Sequence, residues 1–390
     1  MRICILGATG LVGRESIELC GRAWPKAELA LFASRDQTLD HGGRNLAVHA
    51  AQKLEQADAV RGDLALVARA WPGATLGLYA SRDQELELDG VRRPVHAAPR
   101  LEDREAPRGD LAFVALDDDH SKRYVPRLLD LGYRVVDKSN TYRGDPKVPL
   151  VTAGVNSERV GESARLVANP NCTTIPLTLA LQPLRRAYGL DGVCVSTYQA
   201  VSGAGIAALD KFLETSHQAY ERPDRLGLAF PPAEYAGNTV PHNGGTDESG
   251  FSSEERKLMF ESRKILEMGD LGISVQCCRV AVAVGHYENA WVTTERPADL
   301  DAIASLLADA GRAPFVRFLP GASGDGLSSV ATVHERDRAL VGRLRRDPRD
   351  KSGRTVCLTV AADNLRLGAA TNAVRIASRW FPAADPQLQA

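Results

Sequence analysis

One cysteine stands where the sequence predicts that a strand turns into a helix. Cys172 follows the turn-forming tripeptide NPN of residues 169–171, and the apolar spacing of residues 173–184 predicts a helix that Pro176 interrupts. A thiol at a helix N-terminus meets backbone amides and the positive end of the helix dipole, which favour the thiolate. Because polar residues flank Cys172, we interpret it as a nucleophile rather than a packing cysteine.

Three polar side chains on other segments have the chemistry that such a nucleophile needs. Gln199 ends a predicted strand, and Arg279 and His286 lie in a later apolar segment. An offset of seven residues would point Arg279 and His286 to opposite faces of a flat strand, unless Gly285 introduces a bulge or a bend. A thiol, an orienting amide, a guanidinium and an imidazole are together sufficient for acyl chemistry on the sulfur.

The N-terminus has the pattern of a strand, a glycine turn and a helix. Gly7, Gly10 and Gly13 follow the apolar residues 2–6 and precede an amphipathic segment. Small residues at such a turn let the backbone approach a pyrophosphate, and the helix N-terminus supplies amide donors. The spacing is GxxGxxG rather than GxGxxG, and glycines also occur at such turns for packing alone. A nucleotide site and a packing role both stay open on this pattern.

The next predicted strand ends in Ser34 and Arg35, where NAD-binding chains usually have an acidic residue for the ribose 2′-hydroxyl. A serine–arginine pair suits a 2′-phosphate instead, since a guanidinium binds phosphate oxygens in pairs. This favours NADP, although Asp36 follows directly and a solvated turn is the alternative. The same pair recurs as Ser81 and Arg82.

The pair recurs because residues 22–68 and 69–115 form a tandem repeat. The offset is 47 throughout, and 28 of the 47 aligned positions are identical. Solenoids need three or more repeats to bury a core, so two copies indicate one segment of a domain that was copied once. We expect the second copy to occupy the sheet and the first to form an annex, because an insertion there lies farther from the chemistry. Ser81 and Arg82 would then be the working pair.

Composition sets the broad class of the protein. A chain of 390 residues predicts two domains, and 44% hydrophobic with 25% charged residues is typical of a globular protein. The net charge of -1 gives no basis for binding nucleic acid or a membrane, and no apolar run is long enough for a membrane helix. Seven scattered cysteines without a CxxC pair argue against disulfides and against a metal site. With no signal-peptide pattern at Met1, we expect a cytoplasmic protein in which most cysteines are small buried residues.

These segments together resemble one enzyme family. The motifs that carry the resemblance are, in chain order, GATGLVG, ASRDQ, ANPNCTTIPLTLALQPL, VSTYQAVSGAG, SSEERKLMFESRKIL, RVAVAVGHYEN, VGRLRRD and DNLRLGAATNAVRIA. They resemble the aspartate-semialdehyde dehydrogenase family along nearly the whole chain. The resemblance implies NADPH-dependent reduction of L-aspartyl 4-phosphate to L-aspartate 4-semialdehyde with release of phosphate, a step in the biosynthesis of lysine, threonine and methionine.

The resemblance also implies a role for each candidate residue. Cys172 would form a thioacyl enzyme, His286 would be the general acid and base, and Gln199 would orient the substrate. Arg279 would bind the substrate α-carboxylate. The residues implied for the substrate amino group and the phosphate are Glu254, Lys257 and Arg143. The residues implied for NADP are Gly7, Thr9, Gly10, Leu11, Val12, Ser34 with Arg35 or Ser81 with Arg82, Ser202, Gly203 and Asn364.

The implied fold is α/β. A Rossmann-type doubly wound nucleotide domain would span residues 1–168 and be completed by a C-terminal helix over residues 364–381. Residues 169–354 would form an α+β catalytic and dimerisation domain with a mostly antiparallel sheet. The implied partners are the substrate, phosphate and a second copy of the chain, in a homodimer or a dimer of dimers.

One departure from the family leaves alternatives open. Asp117, Asp118 and Asp119 replace a glycine-rich loop that the family usually has near the cofactor. Three carboxylates would repel a pyrophosphate, unless they point to solvent or cap the following helix. The alternatives are a catalytically silent relative that acts as a dimer partner or binding protein, and a sister reductase of another acyl phosphate such as N-acetylglutamyl phosphate.

Overall fold

The computed structural model describes residues 2–6, 28–32, 37–41, 44–48, 79–80, 84–88, 91–97, 109–115, 117–221, 234–241, 245–321, 323–383 and 386–390, and before residue 109 it describes the backbone of the strands. The chain divides into two compact units. The first comprises residues 1–153, 157–169 and 370–390, and the second comprises residues 154–156 and 170–369.

The elements before residue 170 belong to the first unit. They are β1 (Arg2–Leu6), β2 (Glu28–Phe32), β3 (Gln37–His41), β4 (Arg44–Val48), β5 (Tyr79–Ala80), β6 (Gln84–Leu88), β7 (Val91–Ala97), β8 (Leu111–Val114), α1 (Asp118–Asp130), β9 (Arg134–Asp137), a 3-10 turn (Ser157–Arg159) and β10 (Leu166–Ala168).

The elements after residue 170 start in the second unit and end in the first. They are α2 (Thr174–Tyr188), β11 (Gly192–Gln199), a 3-10 turn (Val201–Ala204), α3 (Ile206–Glu221), β12 (Thr239–Pro241), α4 (Ser253–Leu266), β13 (Gly272–Val280), β14 (His286–Thr293), α5 (Leu300–Ala308), β15 (Val316–Leu319), a 3-10 turn (Val330–His334), β16 (Ala339–Arg346), β17 (Thr355–Ala362), a π-helix (Arg366–Thr371), α6 (Asn372–Ser378) in the first unit and a 3-10 turn (Pro386–Leu388).

The first unit contains a parallel sheet of five strands in the order β10-β9-β8-β1-β2. All four residues of β8 are buried, which is typical of parallel strands and explains why its sequence LAFV is continuously apolar. The strand order reverses between β1 and β8, and this reversal is the switch point of a doubly wound sheet. The predicted Rossmann-type fold class is confirmed.

Both copies of the repeat contribute to this sheet. β2 comes from the first copy and β8 from the end of the second, and they pair with opposite edges of β1. Each copy also forms a hairpin at the same repeat position, β3 with β4 and β6 with β7. The expectation that the second copy alone occupies the sheet is wrong. β2 has a shorter connection to β1 than the equivalent segment of the second copy, and β8 has a shorter connection to α1 than the equivalent segment of the first copy.

The three aspartates that replace the glycine-rich loop hold the start of α1. Asp117 is the N-cap residue and its carboxylate accepts the His120 N–H at 3.0 Å, while Asp118 accepts the Asn140 N–H at 2.8 Å. Asp119 forms an exposed ion pair with Lys122. Acidic residues stabilise a helix N-terminus through its dipole, so capping explains these carboxylates.

The second unit is built on a mixed sheet of seven strands in the order β12-β13-β11-β14-β17-β16-β15. Four of its six pairings are antiparallel, and β11 pairs with β13 on one side and β14 on the other. Burial alternates along β14, so one face of this strand is covered and the other is partly open. Helices α2 and α4 pack against each other, and α2 also packs on β17.

The predicted C-terminal helix 364–381 is observed as a π-helix followed by α6, which ends at Ser378. Asn372 ties α6 into the first unit, because its amide donates to Val151 O at 2.9 Å and accepts the Ala153 N–H at 2.8 Å. Within the described parts of the chain, no helix is long and apolar enough to cross a membrane.

Two deletions of one repeat length test the shared use of the copies. Deleting residues 36–82 joins Arg35 to Asp83 and keeps the first-copy strand beside β1, whereas deleting residues 22–68 supplies the second-copy strand instead. The second-copy strand has Gly77 where the first has Ala30, and a strand glycine costs about 0.5–1 kcal/mol. We expect both proteins to fold and the 36–82 deletion to have the higher thermal unfolding midpoint. The reverse order, or aggregation of the 36–82 deletion alone, would contradict this placement.

Candidate active site

Cys172 lies in the turn that leads into α2. The Asn171 carbonyl accepts the Ile175 N–H at 3.2 Å, so the first helical turn begins directly at the cysteine. The half-buried Cys172 Sγ lies 3.2 Å from His286 Nε2 and donates to Asn171 Oδ1 at 3.4 Å. The predicted nucleophile and the predicted imidazole are therefore in contact.

His286 is buried and begins β14. Its Nδ1 accepts the backbone N–H of Ala200 at 3.0 Å. A ring nitrogen that accepts a hydrogen bond carries no proton in the neutral ring, which assigns the ring proton to Nε2. The imidazole therefore directs an N–H toward the Cys172 sulfur.

The side chains of Arg279 and His286 both meet the backbone of Ala200, although their offset of seven residues is an odd number. They lie on separate strands, β13 and β14, which flank β11, and Arg279 pairs in register with Gln199 at the end of β11. Gly285 precedes His286 with a φ of 98°, a left-handed conformation that suits glycine. Arg279 Nη1 donates to Ala200 O at 2.7 Å, so the backbone of one residue meets both side chains.

Glu254 connects the turn to the other polar residues. Its Oε1 accepts from Asn171 Nδ2 at 2.9 Å and from Gln199 Nε2 at 3.4 Å, and its Oε2 lies 3.5 Å from Lys257 Nζ. Glu254 and Lys257 share one face of α4, as the i, i+3 spacing predicts. Glu254 is buried, and its carboxyl group is directed into this cluster.

Asn171 and Glu261 are part of the cluster although the sequence did not single them out. The buried Glu261 accepts the Asn171 N–H at 2.7 Å, and Asn171 Oδ1 accepts the Thr173 N–H at 3.0 Å. Glu261 follows Glu254 by two helical turns, so helical periodicity places both on one face of α4. That spacing is a signal from which Glu261 could have been predicted.

The π-helix packs directly on the nucleophile. A Cβ added to Gly368 would lie 2.9 Å from Cys172 Cβ and 3.1 Å from Cys172 O, so only glycine fits there without displacement. Two ion pairs hold this segment, Arg336 with Asp363 at 2.8 Å and Arg366 with Asp337 at 2.9 Å.

Three residues predicted to contact the cofactor lie beside His286. Asn364 accepts the Gly285 N–H at 2.9 Å and donates to Ser202 Oγ at 2.9 Å, which ties the loop before His286 to residues 201–204. A Cβ on Gly203 would lie 2.8 Å from Arg279 Nη1 and 3.3 Å from His286 Nε2. Gly203 and Asn364 therefore lie beside the cluster of Arg279 and His286.

The remaining predicted residues are not part of this cluster as described. Arg143 belongs to the first unit, where it is buried and donates to Lys138 O at 2.7 Å and to Asn140 Oδ1 at 3.3 Å. The following predicted residues lie outside the described part of the chain: Gly7, Thr9, Gly10, Leu11, Val12, Ser34, Arg35, Ser81 and Arg82.

Among the five cysteines whose side chains the structure describes there is no disulfide; Cys277 and Cys357 are buried, and Cys172 and Cys278 are half-buried. Cys194 is exposed, and the expectation that most of the seven cysteines are buried stays a prediction, because the side chains of Cys4 and Cys20 lie outside the described part of the chain. Burial raises the pKa of the Cys277 thiol, which keeps it protonated and unreactive. Within the described residues, no group of three or more histidine, cysteine or acidic side chains is placed to hold a metal ion.

Glu288 is a buried acid two residues after His286 on β14. Neither of its carboxylate oxygens has a hydrogen-bond partner among the described residues. Desolvation by burial raises the pKa of Glu288 well above 4.5, so the side chain is held as the neutral acid. A neutral acid leaves this part of the sheet without a negative charge.

Two family models and a relative of known name match this chain. A family model described as semialdehyde dehydrogenase, NAD binding domain, matches residues 78–163, and a second, described as semialdehyde dehydrogenase, dimerisation domain, matches residues 181–367. The aspartate-semialdehyde dehydrogenase of Aquifex aeolicus (strain VF5) is 33% identical over 382 residues, with 96% of each chain covered.

Two solved structures are similar along the chain. The aspartate semialdehyde dehydrogenase II of Vibrio cholerae complexed with ASA has a TM-score of 0.73 and 28% identity, with 97% of each chain covered. The enzyme of Candida albicans with NADP has a TM-score of 0.63 and 21% identity, with 97% of this chain and 98% of that chain covered, and at that identity it supports the fold alone.

Replacing Gly368 with alanine tests the contact of the π-helix with Cys172. The new Cβ would displace Cys172 because the atoms it meets are a Cβ and a backbone carbonyl, which have no flexible end to turn away. We expect the rate of Cys172 alkylation by iodoacetamide, followed on its tryptic peptide, to change by roughly tenfold. Gly269→Ala is the matched control, since nothing lies within 4 Å of its Cβ position. Equal rates in the two variants would contradict the packing described here.

Replacing Glu288 with glutamine tests the buried neutral acid. A folded-state pKa raised above the unfolded value gives stability at low pH that is lost as pH rises through the folded pKa. We expect Glu288→Gln to remove this loss, so that its gain in thermal midpoint over the unmodified protein is larger at about pH 8 than at about pH 5. The exposed Glu248→Gln serves as the control. A gain that does not change with pH would show that Glu288 is ionised in the folded protein.

Proposed function

The chain belongs to the aspartate-semialdehyde dehydrogenase family, and on that premise we propose that it reduces L-aspartyl 4-phosphate to L-aspartate 4-semialdehyde with NADPH and releases phosphate. This oxidoreductase reaction is a step of amino-acid biosynthesis. The observation that carries the proposal is the 3.2 Å contact between Cys172 Sγ and His286 Nε2 at the start of a helix. A thiol so placed has a helix dipole and a hydrogen-bond donor to favour its anion.

The substrate has three charged groups, and the cluster has a partner for each. We assign Glu254 to the α-ammonium group and Arg279 to the α-carboxylate, since the two are buried and opposite in charge. Lys257 on α4 is assigned to the phosphate, together with Arg143 of the first unit. These charges select a short amino-acid substrate with a free α-ammonium group. An N-acetylated acyl phosphate lacks this group and is therefore disfavoured.

The nucleophile acts at the carbon that carries the phosphate. Attack by the Cys172 thiolate forms the C–S bond and releases phosphate, which leaves a thioacyl enzyme. Gln199 lies beside Glu254, and its amide is assigned to orient the bound substrate. His286 is assigned as the catalytic group whose imidazole contacts the Cys172 sulfur.

The nucleotide cofactor is assigned to the parallel sheet of the first unit. The switch point beside β1 is where doubly wound sheets bind nucleotides, and the glycine turn at residues 7–13 follows β1 directly, so the fold suits this group. The residues proposed to hold it are Gly7, Thr9, Gly10, Leu11 and Val12. When bound, it supplies the hydride that reduces the thioacyl group.

We propose NADP rather than NAD as this cofactor. A serine–arginine pair, Ser34 with Arg35 or Ser81 with Arg82, stands in the sequence where NAD-binding chains usually have an acidic residue, and such a pair suits a 2′-phosphate.

The match to the dimerisation domain supports a dimer formed through the second unit, and a homodimer or a dimer of dimers is the assembly that we propose. We propose the reducing cytoplasm as the compartment, because the reaction needs Cys172 as a free thiol. No nucleic-acid or membrane partner is proposed for a chain of net charge -1.

The reaction is tested in its reverse direction, by following reduction of NADP⁺ with aspartate semialdehyde in the presence and absence of phosphate. We expect phosphate-dependent turnover, a higher kcat/KM with NADP⁺ than with NAD⁺, and a loss of roughly 10³-fold or more in Cys172→Ser. Cys194→Ser, an exposed cysteine, is the matched control and should turn over normally.

Other outcomes separate the alternatives. Folded protein that binds NADPH but prefers N-acetylglutamate semialdehyde would identify the sister reductase. Folded protein that neither turns over nor binds NADPH would identify a catalytically silent relative and overturn the proposal.

A further inference from the structure

The direction of the Arg143 side chain is set by its own loop. This loop spans residues 138–143 and directly follows β9. Arg143 Nη2 donates to Lys138 O at 2.7 Å, Nη1 donates to Asn140 Oδ1 at 3.3 Å, and the Arg143 N–H donates to Asn140 O at 3.3 Å. Because Arg143 is buried, a shift of Asn140 or Lys138 would move the guanidinium with it.

One residue of α1 holds this loop from outside. Asp118 is the first residue of the helix, and its Oδ1 accepts the Asn140 N–H at 2.8 Å. Its Oδ2 accepts from Asn140 Nδ2 at 3.4 Å, and its backbone carbonyl accepts from Thr141 Oγ1 at 3.0 Å. The side-chain amide of Asn140 thus has Asp118 at its nitrogen and Arg143 at its oxygen.

A second anchor holds the start of the loop independently of Asp118. Asp137 is fully buried at the end of β9, and its carboxylate accepts from Ser121 Oγ of α1 at 3.0 Å and from Ser139 Oγ at 2.6 Å. Ser139 Oγ in turn accepts the Thr141 N–H at 3.1 Å. Because the start of the loop is held in this way, loss of the Asp118 side chain should loosen the part that carries Arg143 without unfolding the loop.

We propose that Asp118 is a positioning residue for the substrate phosphate, because through Asn140 it holds Arg143 in the orientation that binds phosphate. The proposal rests on the proposed function, which assigns Arg143 to this group. An arginine that is already held loses less conformational entropy when its guanidinium binds phosphate oxygens. Loosening Arg143 therefore weakens phosphate binding more than binding of the α-ammonium and α-carboxylate groups, which are assigned to Glu254 and Arg279.

Replacing Asp118 with alanine removes both side-chain contacts with Asn140. Asp119→Ala is the matched control, since it also removes a carboxylate from the first turn of α1 but Asp119 is 94% exposed and pairs with Lys122. In the direction of aspartate semialdehyde oxidation, we expect the KM for phosphate to rise roughly tenfold in Asp118→Ala and to change by less than about twofold in Asp119→Ala. The KM for aspartate semialdehyde should stay similar in both.

Two further variants make this test specific. Asp118→Asn keeps an acceptor for the Asn140 N–H and should recover part of the affinity for phosphate. Asn140→Ala breaks the same link from an exposed position and should raise the KM for phosphate as Asp118→Ala does, which keeps the test valid if Asp118→Ala does not fold. Equal KM values for phosphate in Asp118→Ala and Asp119→Ala, an equal rise in both KM values of Asp118→Ala, or no recovery in Asp118→Asn would overturn the proposal.

A labelling measurement reports on Arg143 without turnover. Phenylglyoxal modifies arginine side chains, and mass spectrometry of the peptide that contains Arg143 gives the rate. We expect faster modification of Arg143 in Asp118→Ala than in Asp119→Ala, and protection of Arg143 by inorganic phosphate in the protein without substitutions. Equal rates in the two variants, or no protection by phosphate, would overturn the proposal. If aspartate semialdehyde is not oxidised at all, the proposed function fails, and these rates still decide whether Asp118 holds Arg143.

Discussion

The arrangement of the site depends on the backbone of one residue, Ala200. Its N–H, in the peptide group shared with Gln199, is donated to His286, and its carbonyl, in the peptide group shared with Val201, accepts from Arg279. This backbone is itself fixed because it follows β11, which both neighbouring strands flank. The distance between His286 and the thiol is therefore set by the backbone of the sheet rather than by side-chain packing alone.

The opposite side of the thiol is held by one helix. Two carboxylates of α4, Glu254 and Glu261, receive the side-chain amide and the backbone N–H of Asn171. Because Asn171 also accepts from the Cys172 thiol, the helix that we assign to substrate binding reaches the nucleophile through one side chain. Substrate binding and the positioning of Cys172 thus depend on the same hydrogen bonds, and a change in α4 affects both.

Much of this could be predicted from the sequence because local pattern and chemistry agreed. The strand–turn–helix around Cys172 and the i, i+3 pair on α4 follow from short-range spacing, whereas the doubly wound sheet was implied by the family resemblance. The contacts of Ala200 and Gly368 could not be predicted, since they use backbone atoms and empty space that no residue type announces. The odd spacing of Arg279 and His286 predicted opposite faces of a flat strand unless Gly285 broke the parity, and the structure brings the two together from two strands that flank β11.

The repeat shows a different limit of sequence pattern. The two copies are identical at 28 of 47 positions, so the sequence of either copy could form the strand beside β1. Sequence identity alone therefore does not predict which copy pairs with β1. The sheet takes β2 from one copy and β8 from the other, a choice that depends on the connections rather than on the strands themselves.

The two ion pairs behind the π-helix bear on how the enzyme responds to its ionic surroundings. Asp363 is fully buried and Arg366 is 2% exposed, while the side chains of their partners Arg336 and Asp337 are 31% and 17% exposed, so mobile ions have less access to these pairs than to charges at a surface. Added salt weakens the long-range attraction of a charged substrate but leaves the pairs that back Cys172 largely intact. Ionic strength should therefore alter how often substrate arrives much more than how the nucleophile is held once it has arrived.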